Sequence, residues 1–416
     1  MDQTAVTAQT GTPDALRPLG SVERYFWLSD QNSPKHFCMA LQVSGETTPA
    51  RWKAALGHLR ARHPLLRVSI GSSSDGRPVF LEAGDRDLPL RVIPCEQPHD
   101  WEGTISKQLM EPFPDDAPSL VRAVLLHSWS FSTLIFTAHH SVADGISVAY
   151  LMRDLLLAME EQPLSPLALP PAQETIAARW GIVAEPLSAG GRKATKLDRS
   201  RGVPHVSSLR LSSKLTSDLR ASARSNGTTV HGALVAALVL AGRRLHKAWQ
   251  QGPVRTVSPV NLRPTLEIAD DCVVSIVFPS GAYAPEPDGD LWELARAVKA
   301  DLADAKSRSS IVNAFAAFDA IMTTSPGVPE IAEIELTVCA CEMMLSNVGV
   351  APLPETAGSL KVEALWGPSV FVGIEGEQMI GCATFAGRIH LLHTSFTPIP
   401  SLLSLTRAML EQAASD

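Results

Sequence analysis

The chain has 416 residues, 45% hydrophobic and 19% charged, with a formal net charge of -7. That length predicts two or three domains of roughly 100–200 residues each, with enough core to need no staple of disulfides or metal. A mildly acidic balance without a long basic tract excludes a dedicated nucleic-acid binder, and the ordinary apolar content excludes a disordered chain.

Residues 1–18 are small and polar and read as a loose tail. They carry no basic n-region and no apolar core, so no secretory signal is expected there. No apolar run reaches the roughly 18 residues of a membrane helix, and the expected compartment is the cytoplasm. A helix is predicted from Ser21, with Val22, Tyr25, Phe26 and Leu28 on one side. A second runs from Pro49 to His63 and ends at Pro64. Leu65–Ile70 and Pro78–Leu81 read as strands around a Ser-rich Asp-Gly turn. Leu120–Trp129 and Ser132–His140 form a predicted hairpin. A helix follows from Ile146 to Glu161, with Ile146, Ala149, Leu151, Leu155 and Met159 on its apolar face.

From Gln162 to Val206 the composition shifts to Pro-rich and then Gly- and Lys/Arg-rich sequence, which marks a linker centred on residues 185–205. Past it, a strand is predicted at Ser207–Ser212, then helices at Ser213–Asn226 and Thr228–His246, with Thr229 as N-cap of the latter. Strands at Arg255–Val260 and Cys272–Phe278, a helix at Leu291–Ser307, and strands at Ile334–Leu345 and Ser369–Ile374 follow. A hairpin, Met379–Phe385 with Arg388–Phe396, and a helix at Pro400–Ala414 close the chain. The fold expected is α/β: an N-terminal lobe over 19–184 and a C-terminal lobe over 206–416, each a mixed sheet flanked by helices. The six cysteines (Cys38, Cys95, Cys272, Cys339, Cys341 and Cys382) contain no CxxC pair and read as free thiols, Cys339 and Cys341 sharing one face of a strand.

Chemistry concentrates in TLIFTAHHSVADGIS, residues 133–147. On a strand, adjacent His139 and His140 point to opposite faces, so one can be buried while the other opens onto a cavity. Imidazole is the side chain best suited to take a proton near neutral pH. Asp144 can orient the turn or an imidazole, and Gly145 removes a side chain where something must approach closely. A pair of histidines forming a polar strand end explains the same residues without chemistry. A metal on His140 and Asp144 lacks a third ligand nearby.

HHSVADG fits HHxxxDG, the signature of the chloramphenicol-acetyltransferase-like superfamily, which includes condensation domains, plant acyltransferases, wax-ester synthases and polyketide-associated acyltransferases. PLGSVERYFWL, RHPLLRVSI (Arg62–Ile70), SPVNLRP (Ser258–Pro264) before DCVVSIVF, and LSNVGVAPLP (Leu345–Pro354) resemble its other segments in the expected order. The resemblance covers the chain from about residue 16 to the end. It implies two chloramphenicol-acetyltransferase-like lobes with a solvent channel between them. It further implies that His140 is the general base, that His139 is structural, and that Asp144 pairs with Arg263 across the fold. Gly145 would keep the channel open, while Ser346 and Asn347 become candidate oxyanion donors. Neither the plant DFGWG segment nor the FVNT segment of peptide-forming domains is present; LWGPSV (Leu365–Val370) and VVSIVF stand nearest. These departures favour a stand-alone ester-forming enzyme, closest in look to the polyketide-associated, phthiocerol dimycocerosyl transferase-like group.

The expected activity is therefore acyl transfer from an acyl-CoA or acyl carrier protein thioester to a small-molecule hydroxyl, with no metal or resident cofactor. Arg192, Lys193, Lys196, Arg199 and Arg201 crowd the linker against Asp198 alone. They read either as a solvated linker or as a patch for coenzyme A phosphates or an acidic carrier. One chain supplying both walls leads to a monomer. Competing readings are amide formation on the same His140, a non-catalytic binding protein on this fold, and a membrane-type acyltransferase built on His139 and Asp144. The last lacks its phosphate motif and apolar segments.

Overall fold

A computed structural model describes residues 15–84, 86–95, 100–114, 117, 119–185, 193–198, 200, 202–285, 289–415. Two six-stranded sheets organise them. The first runs Thr356–Ala357, Leu360–Ser369, Phe37–Ser44, Phe131–Ala138, Val121–His127, Leu90–Pro94. The second runs Ser280–Tyr283, Val254–Val257, Met343–Val350, Gln378–Phe385, Arg388–Ser395, His205–Arg210. Helices Pro49–Arg62 and Gly145–Met159 cover the first sheet, and Trp52, Leu56, Leu59, Leu151 and Leu155 pack there onto Met39 and Phe136. Helix Val230–Leu245 lies on the second sheet among helices Ser213–Ser225, Leu291–Asp301 and Leu402–Ser415. Thr229 caps it by accepting from the Gly232 amide at 3.0 Å.

The lobes are not consecutive stretches of chain. Residues 356–369, expected in the C-terminal lobe, cross back and extend the first sheet, with Leu365 opposite Leu41 and Trp366 opposite Ala40. At the seam the two sheets approach so closely that a Cβ on Gly381 would sit 2.0 Å from the Pro368 carbonyl oxygen. Part of the tail expected to be loose is ordered too: Ala15–Pro18 pairs antiparallel with Pro78–Glu82. The part before residue 15 lies outside the described residues.

Other departures have local causes. Ile334–Leu345, expected as a strand, is instead the end of helix Val328–Val338 followed by strand Met343–Val350. Pro329 in the first turn, and Glu330 accepting from the Gly327 amide at 3.1 Å, start that helix and override the β-branched run. Cys339 is therefore the helix C-cap, and it shares no strand face with Cys341. The strand expected at Ser369–Ile374 ends at Ser369, and only Ile276–Val277 of Cys272–Phe278 is extended in a ladder. Leu65–Arg67 belongs to a short 3-10 turn before strand Val68–Ser72. Strand Phe37–Ser44 carried no expectation because it is buried on both faces and so shows no alternation. Helices Trp101–Met110 and Arg308–Thr323 also stand where the sequence predicts no element.

Candidate functional site

Interior strand Phe131–Ala138 of the first sheet delivers His139 and His140 just past its C-terminal end, and the chain then turns into helix Gly145–Met159. His139 points into protein. Its Nδ1 accepts from the Ser141 amide at 3.1 Å, and its Nε2 lies 3.6 Å from Asp30 Oδ2. Burial pushes its pKa down, against the pull of the Asp30 carboxylate. Asp30 also accepts from the amides of Lys35 and His36. Burial raises its carboxyl, but His139, His36 and these amides reverse that, and the net shift is downward.

His140 points the other way, into a cavity of about 400 Å³ between the two sheets. Its ring stacks on Phe26, with centroids 4.1 Å apart and planes 6° from parallel, and is tilted against Phe37 at 4.7 Å. Nδ1 is shut away from solvent among the carbonyls of its own turn, so the edge reaching the cavity carries Nε2. Burial pushes the imidazole pKa down to about 4; the Asp144 carboxylate opposes this only partly. At neutral pH the ring is uncharged and keeps a lone pair available.

Asp144 is the N-cap of the following helix. Its Oδ1 accepts from the Ser147 amide at 2.8 Å. Its Oδ2 accepts from Arg263 Nη1 at 2.8 Å and from the Ser275 amide at 2.9 Å. Arg263 Nη2 donates to Ser147 Oγ at 2.8 Å and to the Val273 carbonyl at 2.7 Å. Asp144 is 1% exposed and Arg263 3%, so this is a desolvated ion pair held by several hydrogen bonds, although Arg263 Nε and Ser275 Oγ make none among the described residues. Burial raises the Asp144 carboxyl, but the guanidinium and the amides outweigh it and hold the group below its ordinary value. Ser147, Ser275 and Asn261, whose Oδ1 accepts from the Arg263 amide at 3.1 Å, complete the network and were not singled out from sequence. The Asp-x-x-Ser cap was the readable signal for Ser147.

Gly145 faces Pro368 and Val348: a Cβ there would lie 2.6 Å from Pro368 Cγ and 3.0 Å from Val348 Cγ1. Val348 belongs to the second sheet and Pro368 to the strand that returns to the first, so the missing side chain lets the start of the helix fit against both. Gly145→Ala is expected to destabilise by about 1–3 kcal/mol, the usual range for overpacking. Thermal denaturation checks it, and an unchanged Tm would show that Pro368 simply moves aside.

Ser346 and Asn347, on strand Met343–Val350, line the same cavity as His140. Asn347 Oδ1 accepts from the Gly349 amide at 2.8 Å, which turns the amide nitrogen of its side chain away from that bond. The remaining lining is chiefly apolar, from Phe278, Ala314, Ala317, Phe318, Met344 and Phe371 among others. Of the linker cations, Lys193 Nζ pairs with Glu333, and Lys196 Nζ donates to Asn32 Oδ1 at 2.9 Å. Arg192, Arg199 and Arg201 lie outside the described residues. Among the described residues, no cluster of three His, Cys, Asp or Glu side chains is placed to hold a metal, and no helix is long and apolar enough to cross a membrane.

Two family models match the chain: a condensation domain over residues 21–174, and the C-terminus of phthiocerol/phthiodiolone dimycocerosyl transferase over residues 200–392. The phthiocerol/phthiodiolone dimycocerosyl transferase of Mycobacterium bovis (strain BCG / Pasteur 1173P2) is 25% identical over 389 residues, covering 85% of this chain and 87% of that protein. A probable non-canonical nonribosomal peptide synthetase, CymA, of Salinispora arenicola (strain CNS-205) is 28% identical over 277 residues. That match covers 56% of this chain but 3% of the synthetase. Polyketide synthase associated protein 5 from Mycobacterium tuberculosis superposes with a TM-score of 0.68 at 21% identity, covering 97% of this chain and 99% of that one. The first condensation domain of the CDA synthetase superposes with a TM-score of 0.66 at 18% identity, covering 98% and 97%. Both structural likenesses bear on the fold, and they span nearly the whole molecule, across the boundary between the two matched models. The chain belongs to the superfamily of chloramphenicol-acetyltransferase-like acyltransferases and condensation domains.

Proposed function

We propose that this protein moves an acyl group from a thioester, on coenzyme A or on an acyl carrier protein, to a hydroxyl of a small-molecule acceptor. One observation carries the reading: an uncharged imidazole, clamped by Phe26 and Phe37, presents its Nε2 edge to a largely apolar cavity walled by both sheets. Such a cavity suits an acyl chain, and such an imidazole suits a proton acceptor. In the step proposed, the acceptor oxygen attacks the thioester carbonyl carbon while its proton passes to His140 Nε2. The carbonyl electrons move onto oxygen, where Ser346 Oγ–H or the Asn347 amide can donate a hydrogen bond. Collapse re-forms the carbonyl, breaks the C–S bond, and returns the proton from His140 to the departing sulfur. The thioester is already activated, so positioning, a base and oxyanion donors suffice, and the reaction needs no metal or resident cofactor.

His139, Asp144 and Arg263 serve this reading as supports that fix the loop carrying His140. The single chain supplies both walls, which supports action as a monomer. Lys193 and Lys196 hold Glu333 and Asn32, so a role for the basic linker in binding donor phosphates or an acidic carrier rests on exchanging those partners.

The test is a screen of acyl-CoA and carrier-bound thioesters against alcohol and amine acceptors, read by mass spectrometry. Ester products support the reading. Amide products alone would shift it to condensation, and no product from any pair would favour a binding protein. A pH profile gives a second check. Because burial depresses His140 to about 4, kcat/KM should stay level from pH 8 to about pH 5 and fall only as the ring protonates below that. An acid limb centred near 6.5 would mean that an ordinary, solvated imidazole controls the rate.

A further inference from the structure

The cavity has a second polar patch that the proposed chemistry does not use. Tyr25, Lys35 and Cys339 all line it. They come from three segments: helix Ser21–Asn32, the bend before strand Phe37–Ser44, and the C-cap of helix Val328–Val338. Lys35 Nζ lies 3.2 Å from Glu335 Oε1 and donates to the Val372 carbonyl. The Lys35 side chain is 6% exposed and that of Glu335 4%.

A donor count settles the direction of every bond. The single Tyr25 O–H donates to Glu335 Oε1 at 3.2 Å, so its oxygen is left to accept. Cys339 Sγ lies 3.1 Å from that oxygen. Burial pushes the thiol up to about 11, so it keeps its proton and donates it to Tyr25. The thiol, the phenol and Glu335 Oε1 are thus engaged with one another. An ammonium has three N–H bonds, and two are used, on Glu335 and Val372. The third has no protein partner among the described residues, and Lys35 borders the cavity. Glu335 already balances the charge, so a neutral oxygen fits this donor better than a carboxylate, which would bring an unbalanced charge into a buried site.

We propose that Lys35 is the anchor of a subsite for a neutral oxygen substituent, a hydroxyl or a keto group, carried on the ligand that occupies the cavity. This rests on the acyl-transfer reading for which ligand that is, namely the acyl chain whose carbonyl meets His140. A plain alkyl chain would leave the third N–H facing hydrocarbon, and sites built to bond an oxygen reject the analogue that lacks it strongly. The position of Lys35 is fixed relative to the histidines. Asp30 accepts its backbone amide and also faces His139, and Phe37, two residues on, packs against His140. A buried ion pair stabilises a fold little better than apolar residues of equal volume, so holding this bend against helix Val328–Val338 does not by itself explain it.

The test is calorimetric titration of the full chain with methyl octanoate and with methyl octanoates bearing one hydroxyl at C3, C5 or C7. At least one hydroxy ester should bind wild-type protein tenfold or more tightly than methyl octanoate. That preference should fall to about one in Lys35→Met. Lys35→Met leaves Glu335 buried without its counter-charge, so the double variant Lys35→Met/Glu335→Leu, which removes both charges, is titrated as well. If the ion pair were only a strut, Lys35→Met would lower Tm, the double variant would largely restore it, and both would leave the ratio of affinities untouched. The subsite is overturned if no hydroxy ester beats methyl octanoate in wild type, or if the preference survives in the double variant. Binding is read without turnover, so loss of the preference and failure of the acyl-transfer screen are separate results.

Discussion

His140→Ala should reduce kcat by about 10²–10⁴, the range that a positioned base contributes, while leaving the fold intact. The ring makes one stacked and one tilted aromatic contact, and an aromatic pair is worth about 0.5–1.5 kcal/mol. Against that loss, the variant no longer buries an imidazole whose Nδ1 meets no well-formed hydrogen bond. Tm should therefore change by only a few degrees. Donor binding should hold, because the apolar lining is untouched. The informative signature is a fall in kcat with KM for the thioester nearly constant, measured on whichever donor and acceptor the screen identifies. Turnover within a few-fold of wild type would remove His140 as the base. His139→Ala would then be the next variant to measure, although His139 faces Asp30 and Ser141 rather than the cavity.

Arg263→Ala should be the most destabilising of these substitutions, by about 3–5 kcal/mol, because it strands Asp144 as a buried charge without its partner. Ser147 Oγ and the Val273 carbonyl lose a donor in the same step. Against a total of roughly 5–15 kcal/mol for a folded protein, such a loss should appear as poor soluble yield and a Tm lowered by many degrees. Arg263→Lys should not rescue it, since one ammonium cannot reproduce the forked contacts to Asp144, Ser147 and Val273. Asp144→Asn should cost less, because the amide oxygen can still accept from the Ser147 or Ser275 amide. The pH dependence has a definite sign. The Asp144 carboxyl titrates lower in the folded state than in the unfolded chain, so the pair stabilises fully above about pH 4 and loses its contribution on acidification through the folded value. Wild-type Tm in both Arg263→Ala and Asp144→Asn would show that the network is ornamental.

The heart of this site was legible because it is local. His139, His140, Asp144 and Gly145 fall within seven residues, strand alternation assigns the two imidazoles to opposite faces, and Asp144 sits one residue before a helix. Arg263 was within reach only through its resemblance to a family segment, since its partner is 119 residues away. Phe26 and Phe37 were less accessible still. Phe26 was legible as one apolar residue of a helix, and Phe37 lies in a strand without alternation, so nothing local says that both close on His140. Lys35 illustrates the limit most clearly: a lone lysine before a strand reads as surface, and only the meeting of three distant segments buries it. The fold followed the same rule. Amphipathic helices and the two hairpins could be read from periodicity, whereas the helix at Val328–Val338 needed its cap, and the return of residues 356–369 to the first sheet is a matter of topology alone.

That returning segment limits how the molecule can divide. A cut in the linker would not release two self-sufficient halves: the first would lack the strand that pairs with Phe37–Ser44, and the second would carry that strand, Leu360–Ser369, with no neighbour on the Phe37 side. Two fragments made this way should need each other to fold, so complementation, rather than independent expression, is the behaviour to expect. The chain is stitched through both sheets in the same way that a seam is sewn from both sides. The close approach of Gly381 to Pro368 pins that returning strand against the second sheet as well, so the two sheets share one seam as well as one chain.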